Sequence, residues 1–162
     1  MKANFKKVDG TVVDNIQDYV KEYKEMYPNC NVIVGTDSQE KMKFGKFHVN
    51  YVTCVCLNNG MRGGYHILSS RTYEKNNKKK SLFERLWHEV ELSAEISKLM
   101  AEIDVMPEVH LDVNPSENHG SNIVYQAAKG YITSLGFEVK CKPDSPVATH
   151  AADHAVRGQN TY

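Results

Sequence analysis

Two aspartates sit where short apolar runs give way to polar residues. Asp37 lies in Asn31-Val32-Ile33-Val34-Gly35-Thr36-Asp37-Ser38-Gln39, and Asp112 lies in His110-Leu111-Asp112-Val113-Asn114. Val32, Ile33 and Val34 have the character of a buried strand, which Gly35 is expected to end. A carboxylate carried on the end of such a strand is held firmly enough for chemistry. Taken alone, residues 31–39 also read as a strand that stops at an Asp-Ser turn. Should the two strands lie side by side, their carboxylates repel one another unless a proton or a cation sits between them. Carboxylate oxygens are hard ligands, so the expected cation is Mg²⁺, or Mn²⁺ in its place. A second group with chemical potential is the run Lys75, Lys78, Lys79 and Lys80. Such a run is either solvated surface or a contact for phosphates beside an active site.

The elements that must position these residues follow from periodicity. Asp9-Gly10 is a turn signal in an otherwise polar start. Ile16, Tyr19, Val20, Tyr23 and Tyr27 recur at helical spacing, with Asp14 as N-cap and Pro28 as the stop. After the first strand a polar loop containing Gly45 is expected, and residues 47–57 then alternate as a strand. Asn58-Asn59-Gly60 marks a hairpin turn, and a third strand follows over residues 62–73. The three strands form an antiparallel meander. Leu82, Phe83, Leu86, Val90, Leu92, Ile96, Leu99 and Ile103 predict a long helix over 81–103. Val109, Leu111 and Val113 mark a fourth strand. Ile123, Val124, Ala127, Ala128 and Tyr131 predict a helix over 118–135, closed by Gly136. A fifth strand over 137–141 and a closing helix over 147–157 complete the chain. The fold class is therefore α/β: a five-stranded mixed sheet with helices on both faces and an extra N-terminal helix.

The chain has 162 residues, the size of a single domain, with residues 1–28 as an N-terminal extension. Hydrophobic residues make up 41% and charged residues 25%, as in an ordinary globular protein. Lys+Arg and Asp+Glu are each 20. That balance argues against a protein that coats nucleic acid electrostatically, while leaving room for a local basic patch. None of Cys30, Cys54, Cys56 and Cys141 forms a C-x-x-C pair, and Cys54 and Cys56 read as small core residues on one strand face. The first residues lack the apolar core of a signal peptide, and no stretch is long and apolar enough to span a membrane. The expected compartment is a reducing cytoplasm.

This order of elements, with acidic residues at these points, resembles the ribonuclease H-like superfamily. More narrowly, Gly35-Thr36-Asp37-Ser38-Gln39, His110-Leu111-Asp112 and Lys142-Pro143-Asp144-Ser145 followed by Val147-Ala148-Thr149 resemble the YkuK-type ribonuclease H-related family. The superfamily resemblance implies hydrolysis of phosphodiester bonds in a nucleic acid (DNA, RNA or hybrid) by a two-metal site. It also implies a glutamate ligand from the first long helix. Val90-Glu91-Leu92-Ser93-Ala94 resembles the Met-Glu-Leu-x-Ala run of ribonuclease H proper and points to Glu91. The pattern Glu89-x-x-Leu92-x-x-Glu95-Ile96 resembles the narrower family and points to Glu89. Helical phase sides with Glu89, which shares a stripe with Leu82, Leu86 and Ile96, whereas Glu91 falls with Glu84, His88 and Glu95. The resemblance implies a fourth ligand from the closing helix, where Asp153 is the candidate; His150, three residues earlier on the same face, or His154 is the candidate proton shuttle. Lys78, Lys79, Lys80 and Lys142 are the expected nucleic-acid contacts. The alternative is a non-catalytic module of the same fold that binds nucleic acid or a partner protein. Phosphoryl transfer of the sugar-kinase kind needs two such lobes, more than this chain supplies.

Overall fold

The computed structural model describes residues 3–60, 65–144 and 151–152. Its framework is a meander of long antiparallel strands, β3 (Asn31–Lys43), β4 (Lys46–Asn58) and β5 (Tyr65–Asn76). A parallel pair, β6 (Glu108–Leu111) and β7 (Glu138–Cys141), extends the sheet beyond β3. The mixed sheet expected from the sequence is present, but the described residues give it seven strands rather than five. The additional strands are β1 (Phe5–Lys7) and β2 (Val12–Val13), which pair with each other around the Asp9-Gly10 turn and attach to the free edge of β5. Strands of three and two residues are too short for an alternation pattern. They exist because β5 offers a ladder and because Phe5 is fully buried beneath them.

Three helices cover one face. Helix α1 (Ile16–Met26) begins at Asn15, whose side chain accepts from the Gln17 and Asp18 amides, so the cap lies one residue beyond the expected Asp14. Helix α2 (Leu82–Ala101) is fixed at its start by a reciprocal capping box between Ser81 and Glu84. Helix α3 (Asn122–Ser134) follows β6. Val20 of α1 and Ile96 and Met100 of α2 pack on Val34, Val55, Leu57 and Leu68. Farther along α2, Leu86, Val90 and Ala94 meet Val109, Leu111 and Val113, with Val124, Ala128 and Ile132 of α3 against them. On the opposite face Ile33, Val52, Cys54 and Cys56 pack with Ala152. Residues 151–152 are helical there, and the rest of the expected closing helix lies outside the described residues.

One correction bears directly on the site. Gly35 does not end β3; the strand continues through it for eight more residues, because β4 pairs with every position from Asn31 to Lys43. Asp37 therefore stands in the middle of a long strand. β6 pairs with β3 only as far as Gly35 and His110. The sheet thus has a step at Asp37, with the meander projecting past it.

Candidate metal centre

Asp37 and Asp112 are related through strand register. Ile33 pairs with Glu108, Val34 with Val109 and Gly35 with His110, in parallel. Continuing that register two residues further sets Asp37 level with Asp112, and in a parallel pair level residues point to the same face. Asp112 itself lies just past the end of β6.

The third carboxylate arrives on α2. Thr36 Oγ1 lies 2.8 Å from Ser93 Oγ and 2.9 Å from Thr53 Oγ1, in an enclosed cluster of hydroxyls. Ser38 Oγ donates to Glu89 Oε1 at 2.5 Å. Ser93 and Glu89 are four residues apart on the helix, about 6 Å of rise. Thr36 and Ser38 are two apart on the strand, about 6.6 Å. One helical turn therefore matches one strand repeat, and the two hydrogen bonds lock α2 across β3 in a single register. Glu89 is only 6% exposed. Burial first, and then the neighbouring charges of Asp37 and Asp112, hold its carboxyl well above the ordinary carboxylate range, against the opposing pull of the Ser38 hydroxyl and the Arg85 guanidinium.

Glu91 has the opposite environment. Its side chain is half exposed and its carboxylate accepts from His88 Nδ1 at 3.2 Å. The helical stripe thus turns Glu89, and not Glu91, toward the sheet, where the charges of Asp37 and Asp112 reach it. Asp153 and His150 lie outside the described residues.

The lysines divide. Lys142 forms an ion pair with Asp112, so this residue, expected as a phosphate contact, already neutralises a carboxylate of the centre. Lys80 is ion-paired with Glu74 at 2.5 Å and turned inward near the Tyr51 ring, while Lys78 and Lys79 are exposed. Three further residues of this neighbourhood were not anticipated from the sequence: Ser38, Arg85 and Tyr51. The Tyr51 hydroxyl is buried without a hydrogen-bond partner, and burial followed by the charges of Glu74 and Glu89 pushes its pKa up. Ser38 was legible as strand alternation, since it follows Thr36 by two on the helix-covered face. Tyr51 carried no signal apart from its place in an apolar strand.

Among the described residues, no group of three or more His, Cys, Asp or Glu side chains is arranged to hold a metal ion as it stands. The donor set nonetheless suits a divalent cation. It consists of carboxylate oxygens, one of them buried and destabilised as an anion by its neighbours' charge. Asp112 Oδ1 is enclosed, faces only an ammonium group in an ion pair, and takes no hydrogen bond. A cation among these groups would offset the repulsion from Asp37 and Asp112 that, after burial, raises the Glu89 carboxyl.

A carboxylate-bearing central strand in a mixed sheet, with a buried helix glutamate beside it, defines an α/β protein of the ribonuclease H type. The chain belongs to the ribonuclease H-like family, whose model matches residues 11–157 and so spans the resembling motifs from Gly35 to Thr149. No curated protein matches the chain. Family membership points to a function related to nucleic acid. No helix among the described residues is long and apolar enough to cross a membrane.

Proposed function

We propose that the protein is a metal-dependent nuclease that hydrolyses phosphodiester bonds of a nucleic acid. The observation that carries this reading is the enclosed Glu89, whose carboxyl is raised by burial and by the charges of Asp37 and Asp112. Three carboxylates whose charges act on one another, one of them buried, are costly in a purely structural role. They suit a site whose balancing charge is supplied by divalent ions.

Asp37, Glu89 and Asp112 would hold Mg²⁺ or Mn²⁺, with Asp153 as the remaining ligand expected from the sequence. When bound, such ions supply an activated water on one side of the scissile phosphate and neutralise charge on the leaving oxygen at the other. The protein's own contribution is placement. Asp37 is fixed by the β4 ladder, two residues past the last pair that β3 makes with β6. Ser38 orients Glu89 by donating to it. Lys142 holds Asp112 in the absence of a divalent ion and, once displaced, is free to meet a substrate phosphate. Lys78 and Lys79 stand exposed for the same contact. His150 is the candidate to pass a proton to the leaving group.

The ion pair of Lys142 on Asp112 also favours a second reading, a non-catalytic module in which the lysine permanently fills the cation's place. A panel of single-stranded and double-stranded DNA, RNA and hybrid, each with Mg²⁺ or Mn²⁺, separates the two. The nuclease cuts at least one of them, and Asp37→Asn and Asp112→Asn abolish the cut. The module binds without cutting, and Asp37→Asn binds equally well.

A further inference from the structure

The zero net charge conceals a strong segregation. Residues 39–50 and 73–80 contain seven lysines (Lys41, Lys43, Lys46, Lys75, Lys78, Lys79 and Lys80) against two glutamates, Glu40 and Glu74. Both glutamates are engaged: Glu74 pairs with Lys80, and Glu40 accepts from the Lys80 amide at 3.2 Å. These two segments form one body. Phe47 pairs with Asn76 and His48 with Lys75 across the β4–β5 ladder, and Lys46 Nζ hydrogen-bonds the Asn77 side chain. The end of the meander that projects past the carboxylates is therefore a basic prong.

At its tip is Phe44. Lys43 pairs with Lys46, so Phe44-Gly45 is a two-residue hairpin loop, and both residues have positive φ, 50° and 70°. A turn of this type favours Asn, Asp or Gly at its first position, because a side chain such as phenylalanine is strained there. Phe44 is also fully exposed, at 101% of its free surface, and Met42 beside it is 68% exposed. Its ring therefore incurs two separate penalties, backbone strain and full hydration, and the described fold gains no packing from it. Such a residue on a lysine-rich prong matches the chemistry of single-strand binding, in which cations follow the phosphates and an aromatic face stacks on a base.

We propose that the β3–β4 hairpin tip is a second nucleic-acid contact, where Phe44 stacks on an unpaired base of a single-stranded segment and the surrounding lysines hold its phosphates. This deepens the nuclease reading and rests on it for the identity of the polymer. Lys43 stands six residues beyond Asp37 on the same strand, about 20 Å at a strand's rise. That distance corresponds to about six stacked nucleotide steps of 3.4 Å. The tip thus reads the substrate at a distance from the bond to be cut.

The test is a binding measurement in EDTA, which separates the contact from cleavage. A single-stranded oligonucleotide carrying 2-aminopurine is titrated with the intact protein, and quenching of the base reports stacking. Phe44→Ala should weaken binding about 5- to 100-fold and abolish the quenching, and Phe44→Trp should preserve both. Phe44→Asn should raise the melting temperature by a few degrees, because asparagine suits the turn, while weakening binding as alanine does. A Phe44→Ala protein that binds and quenches like the parent overturns the proposal. So does binding of the tip to anionic phosphatidylserine vesicles with none to oligonucleotide. If Phe44-dependent binding appears but no polymer is ever cut, the nuclease reading fails and the tip contact stands. If cleavage occurs while Phe44→Ala and Phe44→Asn bind normally, the reverse holds.

Discussion

Glu89→Gln in metal-free protein is the most informative single change. Parent Glu89 is enclosed, with Asp37 and Asp112 raising its pKa and one hydroxyl, that of Ser38, donating to it. A carboxyl whose folded pKa lies above its ordinary value stabilises the fold below that ordinary value. The contribution is then lost as pH rises through the raised folded value. The parent in EDTA should therefore lose stability between mildly acidic and alkaline pH, relative to a variant that cannot ionise. Glutamine keeps the size of the side chain and an acceptor for Ser38, and its amide can donate toward the aspartates. An inadequately paired buried polar group costs about 1–3 kcal/mol. At about 2–4 °C per kcal/mol for a domain of this size, Glu89→Gln should melt about 2–12 °C above the parent at alkaline pH. The two should converge near pH 5. Thermal unfolding from pH 5 to 9 in EDTA supplies the difference curve, in which groups common to both proteins cancel. Adding Mn²⁺ should raise the parent's melting temperature and scarcely move the variant's. Glu91→Gln, at an exposed position held by His88, should follow the parent throughout. A parent that gains stability with pH relative to Glu89→Gln, or curves that coincide everywhere, would refute the reasoning.

The lysines yield further predictions. Replacing Lys78 and Lys79 together with alanine should weaken binding of nucleic acid and flatten its salt dependence. The log–log slope, measured by fluorescence anisotropy, should fall by roughly 0.7–0.9 for each phosphate the two side chains neutralise in the parent. Adding Lys80→Ala should change the slope little, because Lys80 is bound to Glu74, and should instead lower the melting temperature slightly. Lys142→Ala should tighten Mn²⁺ binding several-fold in isothermal titration, since the ion no longer competes with an ammonium group on Asp112. Unchanged or weaker Mn²⁺ affinity would show that the ion does not use Asp112.

Much of the site was legible because its geometry follows short-range rules. Apolar runs ending in aspartate located Asp37 and Asp112, and helical phase chose Glu89 over Glu91 by predicting which side of α2 faces the sheet. The sheet's extent was not legible. Gly35 looked like a strand end, and only pairing with β4 at every position shows that β3 runs on to Lys43. The short strands β1 and β2 owe their form to the edge of β5, a tertiary effect with no local pattern. Lys142 could be recognised as basic, but its ion pair with Asp112 depends on β6 and β7 lying side by side. The prong was missed for a related reason. Its lysines are distributed over two segments some thirty residues apart, and only the β4–β5 register gathers them around Phe44.

The central claim is that Asp37, Glu89 and Asp112 together hold a divalent ion. Anomalous diffraction from a crystal soaked in Mn²⁺ tests it most directly. The account predicts a peak within ligand distance, about 2.0–2.2 Å, of oxygens from Asp37 and Asp112, with Glu89 directed at it and Lys142 withdrawn. Millimolar Mn²⁺ that leaves Lys142 on Asp112 and gives no peak between the carboxylates would contradict it.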